Sequence, residues 1–373
     1  MALLAACAAA AASVEPCFAA SATAAPISLG VDAGHSLQDV LDRARVKSGA
    51  PGASAAIMID GRVVWTGASG FADAATRTPV SATTMYSLAS VTKTFVATMV
   101  LRLAEDGRLR IDDPIAPYVP DYLPSAHKVT IRDLLGHTSG YADVEGFPVI
   151  LHWLDDPNHR WERDQVLRQV QPVHFKPGTR FEYSNTNYII LGAIIERASE
   201  ASVGENFARY ITGPLKLGGD VDIERIQRYA GRIAHGYDLQ KKRLVDTFAG
   251  AHDLAVPTAD WGPVWTDGGI VATATGVARF TDALYGGRIL RPATLAEMRK
   301  AGPDHSYGLG TLRMPFDGHA WQGHDGFYYG FTTETYYDFS RRLTITVLTN
   351  RTDDSDPASA IWNRLAAAYD RER

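Results

Sequence analysis

The feature that most constrains this chain is the distance between its strand signals. Residues 54–59 and 62–66 read as two strands joined by Asp60-Gly61, a dipeptide suited to a tight hairpin because both positions tolerate positive φ. A second pair, residues 332–337 and 343–349 around a turn at 338–341, lies more than 260 positions later. Between them, residues 110–266 are punctuated by Pro114, Pro117, Pro120, Pro124, Pro148 and Pro157. Alternating patterns are mostly absent there, and short helical stretches predominate, such as 131–135 after the cap candidate Thr130 and 187–199 after Tyr183-Ser184-Asn185. A compact fold must then close one sheet from distant segments and carry the helical region as an insertion. The expected class is α/β (α+β): an antiparallel sheet flanked by helices, from residues 28–110 plus 265–373, with an all-helical insert at 111–264. Flanking helices are predicted at 36–47, where Leu37, Val40, Leu41 and Ala44 share a face, at 90–106 with Gly107 as left-handed cap, and at 357–369.

Hydrophobic residues make up 46% of the 373 positions and charged residues 21%, which excludes a disordered chain. The net charge of −5 comes without a basic block, so neither nucleic acid nor an anionic membrane surface is an expected partner. Beyond the N-terminus no apolar run reaches about 18 residues, and no transmembrane span is expected. Residues 1–25 differ. Ala-rich, with Ala22-Thr23-Ala24 ahead of Pro26, they read as an export signal, although no Lys or Arg precedes the apolar stretch and Glu15 interrupts it. The expected location is periplasmic or secreted, with Leu4-Ala5-Ala6-Cys7 offering lipid anchorage through Cys7. Cys7 and Cys17 both fall in this segment, leaving the body without a disulfide or thiol nucleophile. None of the eleven histidines has a paired metal-binding spacing, so no metal or cofactor is expected.

Three short stretches can do chemistry. In Ser90-Val91-Thr92-Lys93, positions i and i+3 share a helix face, so Lys93 can stand beside the Ser90 hydroxyl. Serine needs a base to become a nucleophile, and a lysine serves only when its site lowers its free pKa of about 10.4. The spacing alone is weak: about one chance S-x-x-K is expected in a chain this long. Ser125-Ala126-His127-Lys128 is a second instance, read as a loop, and Ser90 can equally be a plain helix cap. Tyr183 and Asn185, two apart in a stretch read as extended, point the same way. One can relay a proton and the other hold a substrate carbonyl or the lysine, or they are a buried tyrosine and an asparagine cap. Gly323-His324-Asp325-Gly326-Phe327 reads as a glycine-flanked turn onto a strand, where backbone can approach a ligand, or as a loop with a satisfied histidine. Trp153 and Trp161 line a cleft or fill a small core, core being the preferred reading.

Together the three pieces resemble the serine β-lactamase and penicillin-binding superfamily, whose sites combine S-x-x-K, S-D-N or Y-x-N, and K-T-G or H-x-G. The likeness is to the branch holding class C β-lactamases, D-alanyl-D-alanine carboxypeptidases, D-aminopeptidases and related carboxylesterases. Four further stretches support it in order: residues 134–140, 177–179, 268–273 and 306–310. The resemblance implies that Ser90 is the acyl-enzyme nucleophile, Lys93 its base and proton shuttle, and Tyr183 the partner that activates Ser90 or the deacylating water. Asn185 would bind the substrate's acyl side, and His324, Asp325 and Gly326 would form the third motif. The backbone N–H groups of Ser90 and Phe327 would make the oxyanion hole. Its fold implication, a β-lactamase/transpeptidase-like sheet domain plus a helical domain with the site between them, agrees with the pattern above.

Asp325 stands where relatives that bind a substrate carboxylate help to hold it. Ionised and facing the site, it would repel that group; strand alternation can also turn it away. Neutral or cationic substrates, such as esters or peptides with a free D-amino terminus, gain from that. With the resemblance, the expected activity is a D,D-carboxypeptidase, D-amino-acid peptidase or amidase acting on a small molecule or peptide, with cell-wall peptide among the candidates. A short-chain carboxylesterase or class C-type β-lactamase is the alternative enzyme, and a penicillin-binding sensor the non-enzymatic one. No G-x-S-x-G elbow occurs, which sets aside an α/β-hydrolase lipase.

Overall fold

The computed structural model describes residues 31–144, 162–240, 243–247, 264–304, 306–328 and 330–371. The signal-like segment with Cys7 and Cys17, and both Trp153 and Trp161, lie outside the described residues. The two distant strand pairs do close one sheet. Its seven strands run in the order Thr78–Pro79, Arg62–Asp73, Gly52–Ile59, Leu343–Thr349, Phe331–Asp338, His319–Tyr328, Leu312–Phe316. Each adjacent pair is antiparallel, and the ends of the chain meet where Ala53 pairs with Thr349 and Ile59 with Leu343. Asp60 and Gly61 take φ of 48° and 82°, both positive as the hairpin reading requires.

Helices cover both faces. On one, Leu37 and Leu41 of Val31–Ser48 and Trp362 and Leu365 of Pro357–Arg371 pack with Trp321, Tyr336 and Ile57 of the sheet. On the other lie Ala274–Tyr285 and Thr92–Glu105, whose rings Phe280 and Phe95 stack with centroids 3.5 Å apart. Thr92–Glu105 carries β-branched and aromatic residues all round and is almost wholly buried, so packing rather than propensity holds it. Asn185–Ser199 packs beyond it, and a single apolar cluster runs from Ala56 and Leu348 through Phe95 to Ile189 and Ile194. Thr130 caps Ile131–Leu135 as expected, accepting from Asp133 N at 3.1 Å while the Asp133 carboxylate accepts from Thr130 N at 3.0 Å.

Three expectations need correction. The segment from Gly323 to Phe327 is not a turn but the interior of the ten-residue strand His319–Tyr328, and its neighbour Leu312–Phe316 was also unforeseen. Two glycines weaken the strand pattern, yet each stands where a neighbour presses in. A Cβ at Gly323 would lie 1.9 Å from Thr335 O, and one at Gly326 2.3 Å from Leu88 O. The proline-rich region is not wholly helical: Tyr237–Gln240 and Arg243–Asp246 form a hairpin whose first strand runs parallel to Arg351–Thr352. Their exposed leucines and short length hid the alternation. Finally, Asn185 is the first residue of its helix rather than part of an extended run, because Ser184 takes the extended cap conformation.

Candidate active site

The site is built where the start of Thr92–Glu105 meets the free part of strand His319–Tyr328. Ser90 lies in the one-turn 3₁₀ segment Ala89–Val91, immediately before the helix. Ala89 takes φ of 48°, the left-handed region that strains an L-residue. The turn is held on both flanks: Leu88 N donates to Ile270 O at 2.8 Å, and Thr333 Oγ1 donates to Leu88 O at 2.9 Å. Because Gly326 lacks a Cβ, its strand can lie against Leu88 and Ala89. The pairing with Leu312–Phe316 ends at Gly323, so the strand beyond has a ladder partner on one side only. That edge brings Gly326 against Leu88 and Ala89, next to Ser90.

Lys93, one helical turn on, is 0% exposed. Its Nζ donates to Ser90 Oγ at 3.0 Å, to Asn185 Oδ1 at 2.8 Å and to the Asp267 carbonyl at 2.7 Å. Tyr183 Oη donates to Ser90 Oγ at 2.8 Å, and its ring lies 5.0 Å from Lys93 Nζ. Enclosure pushes the Tyr183 phenol up, Lys93 and Ser90 pull it back in part, and Asp325 adds a smaller upward push. The net direction is upward, so Tyr183 is a protonated donor at neutral pH.

The third motif divides. His324 is buried at 1% exposure, its Nε2 bonded to Tyr307 Oη at 3.0 Å and its Nδ1 to the Asp325 carbonyl at 2.6 Å. It is thus turned to Tyr307, whose ring meets Tyr183 edge-on. Asp325 has a half-exposed side chain with Oδ1 3.3 Å from His324 Nδ1. Burial would raise its pKa, but His324 first and Lys93 further off draw it below the ordinary carboxylate value, so the group is an anion at the site. Phe327 is 56% exposed beside it.

Several residues entered the site without an assigned role. His137 stacks on Tyr183 with centroids 4.2 Å apart. Its Nδ1 accepts from Ser184 N at 3.2 Å and from Asn187 Nδ2 at 3.1 Å, which places the ring proton on Nε2. Burial, with Lys93 and His324 adding to it, holds His137 well below the usual histidine range and therefore neutral. Asp267 supplies the carbonyl for Lys93, and Tyr307 seats His324. All three belong to, or adjoin, stretches that carried the family likeness (134–140, 268–273, 306–310), so a signal existed; their contacts are tertiary. Asp143, beside Asn185, had no signal. The second S-x-x-K is a loop, as read, with Ser125 accepting from Val173 N at 3.3 Å. Among the described residues no group of three or more His, Cys, Asp or Glu is placed to hold a metal ion, and no helix is long and apolar enough to cross a membrane.

The sheet, the helical layer and a serine contacted by lysine and tyrosine define a β-lactamase-fold hydrolase. The chain belongs to the Beta-lactamase family, whose model matches residues 37–369. It is similar to Protein flp of Staphylococcus aureus strain N315, 31% identical over 220 residues. That match covers 56% of this chain and 42% of the relative, so the chain spans under half the length of that protein. Penicillin-binding protein 4* of Bacillus subtilis strain 168 is 26% identical over 321 residues, 81% of this chain and 68% of the relative. Among solved structures, D-amino acid amidase from Ochrobactrum anthropi SV3, complexed with D-phenylalanine, is similar at TM-score 0.75 and 28% identity, covering 92% of this chain and 100% of that one.

Proposed function

We propose that this protein is a serine amidase or peptidase that cleaves D-amino acid amides, or short peptides with a free D-amino terminus, through an acyl-enzyme on Ser90. The observation that carries the reading is the convergence of Lys93 Nζ and Tyr183 Oη on one oxygen, Ser90 Oγ, at 3.0 and 2.8 Å. Neutral Lys93 takes the Ser90 proton as Oγ attacks the carbonyl carbon. The resulting oxyanion sits against the N–H groups of Ser90 and Phe327. Tyr183, protonated and in contact with Ser90, passes a proton to the leaving nitrogen and takes one in turn from the Lys93 ammonium, and the C–N bond breaks. Water then attacks the ester carbon and gives a proton to Lys93, the bond from that carbon to Ser90 Oγ breaks, the acid leaves, and Oγ takes the proton back from Lys93.

Substrate choice follows from charge. A substrate carboxylate about 5 Å from Asp325 would lose roughly 3 kcal/mol at an effective dielectric of about 20, and an ammonium there would gain a similar amount before desolvation. The similar Ochrobactrum enzyme is described as a D-amino acid amidase, which agrees with a cationic α-amino substrate. Exported through residues 1–25, the enzyme would meet cell-wall peptides, which carry D-residues. The test is a panel of D- and L-phenylalanine amide, p-nitrophenyl acetate and a penicillin, with Ser90→Ala as control. Faster turnover of the D-amide, lost in Ser90→Ala, is expected, with Asp325→Asn cutting it about tenfold and improving acylation by penicillin. Turnover of the acetate alone would replace the reading with an esterase, and rapid penicillin hydrolysis would replace it with a β-lactamase.

A further inference from the structure

The segment Ser139–Val144 and the start of the helix Asn185–Ser199 are laced together residue by residue. Ser139 Oγ donates to Asn187 Oδ1 at 2.5 Å. Thr186 Oγ1 donates to Ala142 O and accepts from Val144 N, both at 2.8 Å, and so clips the chain on each side of Asp143. Asp143 Oδ2 then accepts twice from one residue, from Asn185 N at 3.2 Å and from Asn185 Nδ2 at 3.1 Å. On its far side the same Asn185 amide faces Lys93 with its oxygen.

The chemistry permits one orientation only. Whether ammonium or neutral amine with its lone pair turned to Ser90, Lys93 Nζ keeps N–H groups for the Asp267 carbonyl and for Asn185, and a carboxylate can only accept, so between Lys93 and Asp143 the Asn185 amide turns its oxygen to the lysine and its nitrogen to the aspartate. The flipped amide would set donor against donor and acceptor against acceptor. Resting on the reading of Lys93 as the base for Ser90, we infer that Asp143 is a positioning residue: it locks the Asn185 amide and, through it, holds Lys93 Nζ at Ser90 Oγ. The carboxylate also occupies the place of the missing helix cap. Ser184 makes no side-chain cap bond, and its hydroxyl is buried without a partner among the described residues. A cap alone would stabilise the helix; a lock acts on the reaction.

A double-mutant cycle separates the two roles, because the Asn185 backbone N–H survives in Asn185→Ala and can still be capped. The readouts are kcat and KM for p-nitrophenyl acetate and the rate of Ser90 labelling by a fluorophosphonate, followed by intact mass. Asp143→Ala in the wild-type background is expected to lower kcat or the labelling rate about 10- to 100-fold with KM changed under threefold. In the Asn185→Ala background the same substitution should change the rate less than twofold. Asp143→Asn, which keeps an acceptor for the backbone N–H, guards against loss of folding and should fall between wild type and Asp143→Ala. Equal losses in both backgrounds would overturn the inference and leave a helix cap. If Lys93→Met or Asn185→Ala alone keeps the wild-type rate, or neither probe shows a Ser90-dependent reaction, the catalytic reading itself fails, and the lock with it.

Discussion

At the scale of single residues, this site stores cost in places that serve geometry. Ala89 is held at positive φ, about 1 kcal/mol above an ordinary conformation, and the Leu88 contacts to Ile270 and Thr333 keep it there. Glu334 is a second such residue. It lies directly opposite Asp325 in the strand pairing, is 5% exposed, and has Oε2 without a partner among the described residues. Burial, then the charges of Asp325 and Asp356, push its pKa well above the ordinary 4.5. A carboxyl whose folded pKa is raised binds its proton more tightly in the folded state. Its contribution to stability is complete below pH 4.5 and is lost as pH rises towards the folded pKa, at about 1.4 kcal/mol for each unit of separation. Glu334→Gln should therefore match the wild type in urea unfolding at pH 4 and exceed it increasingly from pH 5 to 8. Parallel pH curves would show that Glu334 is not held neutral.

At the scale of elements, the site depends on how closely a strand can approach a helix start. The Ser90 turn, the strand His319–Tyr328 and the start of Asn185–Ser199 each bring different residues to the candidate site. Gly326 sets the spacing: a Cβ there would sit 2.3 Å from both Leu88 O and Thr333 Oγ1. Gly326→Ala should leave the circular dichroism spectrum intact, cost about 1–3 kcal/mol in stability, and lower kcat at least 100-fold, because the Phe327 N–H moves off the Ser90 turn. Wild-type kcat in that variant would remove Phe327 from the oxyanion site. The pattern at this scale was partly legible. Residues 343–349 alternate openly and form the expected strand, whereas Gly323 and Gly326 mask a strand whose close contacts are Thr335 on the next strand and Leu88, far away in sequence.

At the scale of the whole molecule, the first and last helices and the sheet's central strands form one packed layer. Trp362 is its centre: it meets Trp321 and Tyr336 edge-on and donates Nε1 to Ile345 O at 3.0 Å. Trp362→Ala should cost about 3–5 kcal/mol by urea unfolding in a single transition. The folded fraction should keep its specific activity, since the Ser90 turn lies on the other face of the sheet. A separate early transition in the variant would show that the terminal helices unfold apart from the rest.

What the sequence determined by itself was whatever depends on near neighbours. Asp60-Gly61 dictates a hairpin, Thr130 a capped helix, and the spacing of Ser90 and Lys93 a shared face, because each effect acts within a few residues along the chain. Only the tertiary structure decided that Asn185 meets Lys93 across 92 positions, that Asp143 stands behind it, and that His324 turns to Tyr307 rather than to Ser90. Those choices rest on which donors and acceptors burial brings together, and that pairing exists only once the sheet has closed around residues from both ends of the chain.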